Sequence, residues 1–467
     1  MIADLKPYLE YRDSGLVWLG NIPKHWAVKR AKSIFECVDE RSQTGKEELL
    51  TVSSARGVVP RRTANVTMFK AESYLGYKMC WPGDLVINSL WAWAGGLGVS
   101  RHHGIISSAY GVYRVRKSAS MSPDFVHEVV RSSSFNWEFK VRSKGVWISR
   151  LQLTDLAFLD APMHIPPPEE QAAIVRFLAW ANGRLEQAIR AKRRVIALLN
   201  EQKQAIIHRA VTRGLDTSVP LKPSGISWLG DIPKHWEVRR LRHLIQGRLT
   251  YGANAAAEFT NPDWPRYIRI TDFRKDGSMK AETFRSLPPS IALAYLVEPG
   301  DILLARSGAT VGKAFLVVDT TGLACHAGYL IRARANQKLI LPEYLFAFTQ
   351  TGAFAAWKDS TFNTATIQNI GADKYADLSI PYPSLPEQRA ILDALAVQQT
   401  PLLATISRVE REIELLREYR TRLVADVVTG KLDVRDAAKS LPNEAIEAVA
   451  SDAGDDVDEL EDEEAAA

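Results

Sequence analysis

The feature that most limits what this chain can fold into is that it repeats itself. Ser14-Gly-Leu-Val-Trp-Leu-Gly-Asn-Ile-Pro-Lys-His-Trp26 returns 210 residues later as Ser224-Gly-Ile-Ser-Trp-Leu-Gly-Asp-Ile-Pro-Lys-His-Trp236. Further on the offset becomes 217: Pro82-Gly-Asp84 matches Pro299-Gly-Asp301, Glu170-Gln171 matches Glu387-Gln388, and Leu215-Asp216 matches Leu432-Asp433. The chain is therefore two copies of one unit, the second longer by seven residues between Trp236 and Pro299. A repeat of this length sets the domain count before any local reading does.

Similarity within the unit is uneven. The opening motif and the closing segment match well, whereas the middles, Ala27 to Asp160 and Glu237 to Leu378, share little beyond the Pro-Gly-Asp turn. A constant scaffold with two different inserts points to two different things recognised.

The closing segments predict long helices, about Glu169 to Thr212 and Pro386 to Thr429, entered from Ile165-Pro-Pro-Pro168 and Ile380-Pro-Tyr-Pro383 and followed by Gly214 and Gly430. Leu178, Leu185, Leu199 and Ile206 share one heptad position and Ile189 and Ile196 the other. In the second segment Leu395, Leu402, Val409, Leu416 and Leu423 share one position, and Ile406 and Ile413 the other. Such stripes predict two helices packed along a shared seam. Lys192, Lys203 and Arg420 interrupt it and are expected to snorkel at its edge, the alternative being a carboxylate on the facing helix. Because domain termini lie close together, the helices should run antiparallel, each about 65 Å long at 1.5 Å per residue.

The expected fold class is α+β: two recognition domains of mixed structure separated by two long antiparallel helices, with an internal pseudo-two-fold repeat. The expected boundaries are 1–160 for the first domain, 161–215 for its helix, 216–380 for the second domain and 381–433 for its helix. Residues 434–467 are expected to form a disordered acidic tail, since Asp452 to Glu464 holds nine acidic residues and no basic one.

That tail conceals the character of the body. The whole chain carries a formal charge of +5, but 59 lysines and arginines face only 45 acidic residues outside the tail, a net +14. A body this basic predicts a polyanionic partner. Cys37, Cys80 and Cys325 lie far apart and have no metal-ligand spacing, so no metal is expected. The first residues have no apolar signal core and no run is long enough to span a bilayer, so the expected location is cytoplasmic.

Catalytic motifs fail in turn. Gly308-Ala-Thr-Val-Gly312-Lys313-Ala314 resembles a phosphate-binding loop but is one residue short and ends in alanine where Ser or Thr must bind magnesium. Asn261-Pro-Asp-Trp264 departs from the amino-methyltransferase tetrad at its third residue and reads as a turn. His102-His103 has no HExxH frame, and His25 and His235 repeat with the scaffold, which marks them as packing. No catalytic residue is expected. Candidate DNA contacts are the basic and aromatic residues of the inserts: Arg101, His102, His103, Trp147 and Arg150 in the first, and Arg266, Arg269, Arg306, Lys313, Asn363 and Gln368 in the second. Arginine bridges a guanine edge and Asn or Gln an adenine edge.

Taken together, Trp-Leu-Gly-x-Ile-Pro-x-x-Trp opening each half, the central Pro-Gly-Asp, and a proline-rich Glu-Gln entry to a long helix resemble the specificity subunits of Type I restriction-modification enzymes. The resemblance runs to about Asp433 and implies that each domain reads one half of a bipartite, asymmetric site in double-stranded DNA. It also implies two modification subunits carrying S-adenosylmethionine, and restriction subunits that carry ATP and Mg for translocation and cleavage, with no cofactor on this chain. An orphan DNA-binding regulator and a methyltransferase with a built-in recognition domain are the alternatives.

Overall fold

The computed structural model describes residues 5–64, 73–145, 151–274, 278–308, 310–320, 322–361 and 369–442. It divides into two compact units, one of residues 1–192 with 411–467 and the other of residues 193–410. The dividing line crosses both long helices, Pro168–Arg213 and Leu385–Val428, so each unit owns one insert and half of each helix.

The same framework recurs in each unit. A four-stranded antiparallel sheet has the spatial order 35–37, 111–115, 85–87, 97–99 in the first, and 250–251, 330–334, 301–305, 314–316 in the second. The strand after the opening motif pairs with the strand that leads into the long helix, Ala27–Arg30 with Pro162–Ile165 and Glu237–Arg240 with Ser379–Tyr382. Outside this framework the units diverge. The first has a hairpin of Leu50–Ser53 and Gly57–Pro60, whereas the second has a parallel pair, Arg266–Ile268 with Ala324–His326.

The repeated motifs are the joints of this framework. Trp26 and Trp236 are almost wholly buried, and each indole N–H donates to the glutamate of the Glu-Gln pair at 2.8 Å, Glu170 in one unit and Glu387 in the other. His25 and His235 of the same motif lie against the same carboxylates. The neighbouring glutamines do the opposite job. Gln171 donates to the carbonyls of Ser120 and Pro166 and accepts from the Ser122 amide. Gln388 likewise donates to Leu339 and Pro383 and accepts from Leu341. A buried amide that satisfies three backbone groups fixes the first turn of the helix to the insert it serves.

Pro-Gly-Asp is a structural turn as well. Asp84 and Asp301 are 1% exposed, and each holds an arginine of the central sheet strand through two short bonds: Arg114 at 2.8 and 2.9 Å, Arg334 at 2.8 and 2.7 Å. Two parallel bonds to a buried carboxylate tolerate little displacement. The turn is thereby locked onto the sheet.

Gly214 and Gly430 close the long helices with φ of +75° and +77°, the left-handed conformation that suits glycine at a helix end. At Gly430 a side chain is excluded for a second reason, since a Cβ there would lie 2.5 Å from Pro23 Cδ.

All thirteen seam residues, from Leu178 to Ile206 and from Leu395 to Leu423, are buried or half-buried. Within the first unit the halves of the two helices are antiparallel, for Lys192 pairs with Glu412 and, further from the helix middle, Arg420 pairs with Glu186. These two cations therefore meet carboxylates rather than snorkel, because antiparallel packing brings an acidic flank of one helix beside a basic flank of the other. The tail boundary also moves. Residues 435–439 form a helix, Val434 and Ala438 are buried in the first unit's core and Leu441 is also buried, so the chain is packed to at least residue 441; the acidic run 452–464 lies outside the described residues.

Candidate nucleic-acid interface

The central sheet carries, in each unit, a hairpin whose two strands are in the same register. Ile87 faces Leu97 in the first unit as Leu304 faces Ala314 in the second. One end of the hairpin is the Pro-Gly-Asp turn and the other is a loop, Asn88 to Gly96 or Arg306 to Lys313.

In the second unit the loop holds a cationic cluster. The Arg306 guanidinium lies 4.8 Å from the centre of the Tyr251 ring, a stacking geometry that favours arginine. The Tyr251 hydroxyl is itself fixed, accepting from the Ala372 amide at 3.0 Å. Lys313 is exposed at the loop's far side. The side chain of Lys358 crosses Gly312, where a Cβ would stand 2.3 Å from Lys358 Cδ. Tyr329, 65% exposed, offers its carbonyl to the Arg306 amide.

In the first unit the same loop is aromatic. Trp91 and Trp93 stack with centroids 5.9 Å apart and planes 18° apart, and Lys140 lies 5.9 Å from the Trp93 ring. Trp137, on the same helix as Lys140, is half exposed.

Arg101, His102 and His103 occupy the other end of the first hairpin. Arg101 is exposed, 3.9 Å from Asp124, at a cavity of about 370 Å³ lined also by Pro82, Ser100 and His127. His103 lies against Trp81 with ring centres 4.1 Å apart. Burial pushes the His127 imidazole down to about 4, helped by the charges of Arg131 and Arg101, so it is neutral at physiological pH.

Known proteins bear on this geometry. A sequence model of the Type I restriction modification DNA specificity domain matches residues 233–415. The chain is 26% identical over 210 residues to the Type I restriction enzyme StySPI specificity subunit of Salmonella potsdam, and 25% identical over 210 residues to the EcoKI specificity subunit of Escherichia coli K12. Those matches cover 44% of this chain and 44% of each relative. A longer match, 20% identical over 443 residues, takes in 90% of this chain and 96% of the MjaIX specificity subunit of Methanocaldococcus jannaschii. Among solved structures, a chain from work on complex assembly and conformational transition of the type I R-M system superposes with a TM-score of 0.56 at 16% identity, over 88% of this chain and 99% of that one. By these matches the chain is similar to Type I specificity subunits.

The fates of the sequence candidates differ. Arg306 and Lys313 come together in one loop. Arg101 and Arg306 do not occupy matching places, because they lie at opposite ends of equivalent hairpins; the residue at the position of Arg306 in the first unit is Ser89. Arg269 is held by Asp272 and the Thr283 carbonyl, and Arg266 donates to the Lys280 carbonyl, so both are committed to local structure. Trp147, Arg150, Asn363 and Gln368 lie outside the described residues.

The loop Gly308 to Lys313 joins two antiparallel strands, not the strand and helix of a phosphate-binding loop. Asn261 to Trp264 is a turn, its Asn261 side chain accepting from the Asp263 amide. Sequence reasoning missed Tyr251, Trp91, Trp93 and Lys140. The two tryptophans were findable in Leu90-Trp-Ala-Trp-Ala-Gly-Gly96, which falls opposite the second-unit loop at the offset of 217. Among the described residues no helix is long and apolar enough to cross a membrane.

Proposed function

We propose that this chain chooses the DNA site for a Type I restriction-modification complex, each insert reading one half of a bipartite, asymmetric sequence. The observation that carries the reading is the pairing of an identical framework with unlike surfaces. The Trp–Glu, Gln and Asp–Arg joints are the same in both units, while the loops they present are cationic in one and aromatic in the other. Selection for one shared ligand would not leave that pattern.

Residues 1–160 and 216–380 act as the two recognition domains, and 161–215 and 381–433 as the spacer helices that hold them apart. Methyl transfer, translocation and cleavage belong to two modification subunits with S-adenosylmethionine and to restriction subunits with ATP and Mg; this chain holds no catalytic centre. The net +14 body supplies the sequence-independent part of duplex binding through counterion release. Binding of the purified chain to duplex DNA across a salt series, beside S-adenosylmethionine binding by calorimetry, tests this. The expected outcome is affinity that falls steeply with salt and no cofactor binding. Bound S-adenosylmethionine would instead make the chain a methyltransferase, and no duplex affinity would make it an adaptor.

A further inference from the structure

The two hairpin loops share anchoring and differ in chemistry. The Leu153 amide donates to the Ser89 carbonyl and the Ile370 amide to the Arg306 carbonyl, both at 2.8 Å, and donors and acceptors alike are 217 residues apart. The place where the chain leaves the sheet is thus the same in both units. What it then presents is not: Trp91 and Trp93 in the first, Arg306 and Lys313 in the second.

Arg306 has the properties of a reading group and not only of a counter-charge. Its guanidinium is half-buried and laid on Tyr251, whose hydroxyl is bound to the Ala372 amide. Among the described residues its Nε has no hydrogen-bond partner. A phosphate needs charge without fixed orientation, and exposed Lys313 at the other end of the loop supplies that. A planar fork held against an aromatic ring has already lost its rotamer freedom, which suits the two-bond contact to guanine O6 and N7. In the first unit a stacked indole pair has no comparable donor fork, and it suits apolar contact with a thymine methyl or a base step.

Resting on the DNA-recognition reading above, we infer that this hairpin loop sets base specificity in both halves, through Arg306 on guanine in the second and through Trp91 and Trp93 in the first.

The test is selection by the full chain from a pool of duplexes randomised in both half-sites and in the spacer. The wild-type chain is expected to retrieve a bipartite motif. Arg306→Ala should reduce the preference for guanine at one position of one half-site by about tenfold or more, leaving the other half untouched. Arg306→Gln should move that position toward adenine, a gain that a misfolded variant cannot mimic. Trp91→Ala with Trp93→Ala should relax only the other half-site. Lys313→Ala should weaken all sequences alike and flatten the salt dependence. Folded Arg306 and tryptophan variants that retrieve the wild-type motif with unchanged preferences would overturn the inference while leaving DNA recognition intact. A wild-type chain that binds duplex and retrieves no motif would overturn the recognition reading, and this inference with it.

Discussion

The two units solve the same structural problem with different side chains, and the first solves it with more of them. Glu170 receives the Trp26 indole, the Tyr8 hydroxyl, His25 and Arg435, and its side chain is 7% exposed. Among the described residues Glu387 receives Trp236 and His235 alone, and its side chain is 29% exposed. The extra partners come from two segments far apart in sequence, 5–11 and 431–441, which lie together where the Asp433 amide donates to the Lys6 carbonyl. In the second unit the corresponding stretch is continuous chain around Asp216.

A covalent connection in one unit is replaced in the other by a backbone hydrogen bond and side-chain contacts around a buried carboxylate. The helix ends show the same economy. The Val428 carbonyl is met by the His164 imidazole and the Val211 carbonyl by the Tyr344 hydroxyl, acceptors 217 residues apart satisfied by unrelated donors.

The largest expected effect follows from this inequality. Glu170→Ala strips a buried carboxylate from four donors, Arg435 among them, and should cost the first unit about 3–5 kcal/mol. Glu387→Ala, with fewer and more exposed partners, should cost the second about 1–3 kcal/mol. Hydrogen exchange resolved by segment measures each separately. Equal losses would mean that these two segments add nothing to the first joint.

Where the units are alike the losses should be alike. Asp84→Ala and Asp301→Ala each break a two-bond contact to a buried carboxylate, and should cost about 2–4 kcal/mol apiece, within about 1 kcal/mol of each other. Denaturant unfolding followed by the same segment-resolved exchange checks the match.

Acid should separate the units again. Burial pushes His127 and His164 of the first unit down from 6.5 to about 4. Between those values the unfolded chain binds protons that the folded unit refuses. Stability is therefore full above about 6.5 and falls as pH drops toward 4, by up to about 1.4 kcal/mol per pH unit for each ring. In the second unit burial lowers His326 and His208 in the same direction. His164→Gln keeps a donor for Val428 and should reduce the acid sensitivity of the first unit alone. An unchanged pH profile in that variant would assign the acid loss to groups other than His164.

The spacer gives the smallest effect and the most geometric one. Seven residues inserted into each long helix preserve the seam and lengthen it by about 10 Å. The half-sites selected from a duplex pool should be unchanged and the spacing between them should grow by about three base pairs.

Much of this was legible in the sequence because it is local or periodic. The helices expected at 169–212 and 386–429 are found at 168–213 and 385–428, since prolines before and glycines after them are read within a few residues. His25 and His235 were readable as packing because they recur with the framework. What was not legible depends on strand pairing far along the chain. Arg101 and Arg306 look interchangeable as basic residues beside glycine or serine, yet pairing puts one at the turn end of a hairpin and the other at its loop end. Arg269 looks free until Asp272, three residues on, is found buried beneath it. The packed stretch after Asp433 was hidden by the acidic run that follows it in sequence.

The central claim, one framework carrying two independent readers, is tested most directly by exchanging a single insert. Residues 27–160 would be replaced by the equivalent region of a Type I specificity subunit, leaving both long helices and residues 237–378 intact. Methylated motifs would then be mapped in cells that express the chimera with Type I modification subunits. The account predicts a new sequence in one half of the motif, the original sequence in the other, and the same spacing between them. A chimera that assembles and methylates but changes both halves, or neither, would contradict it.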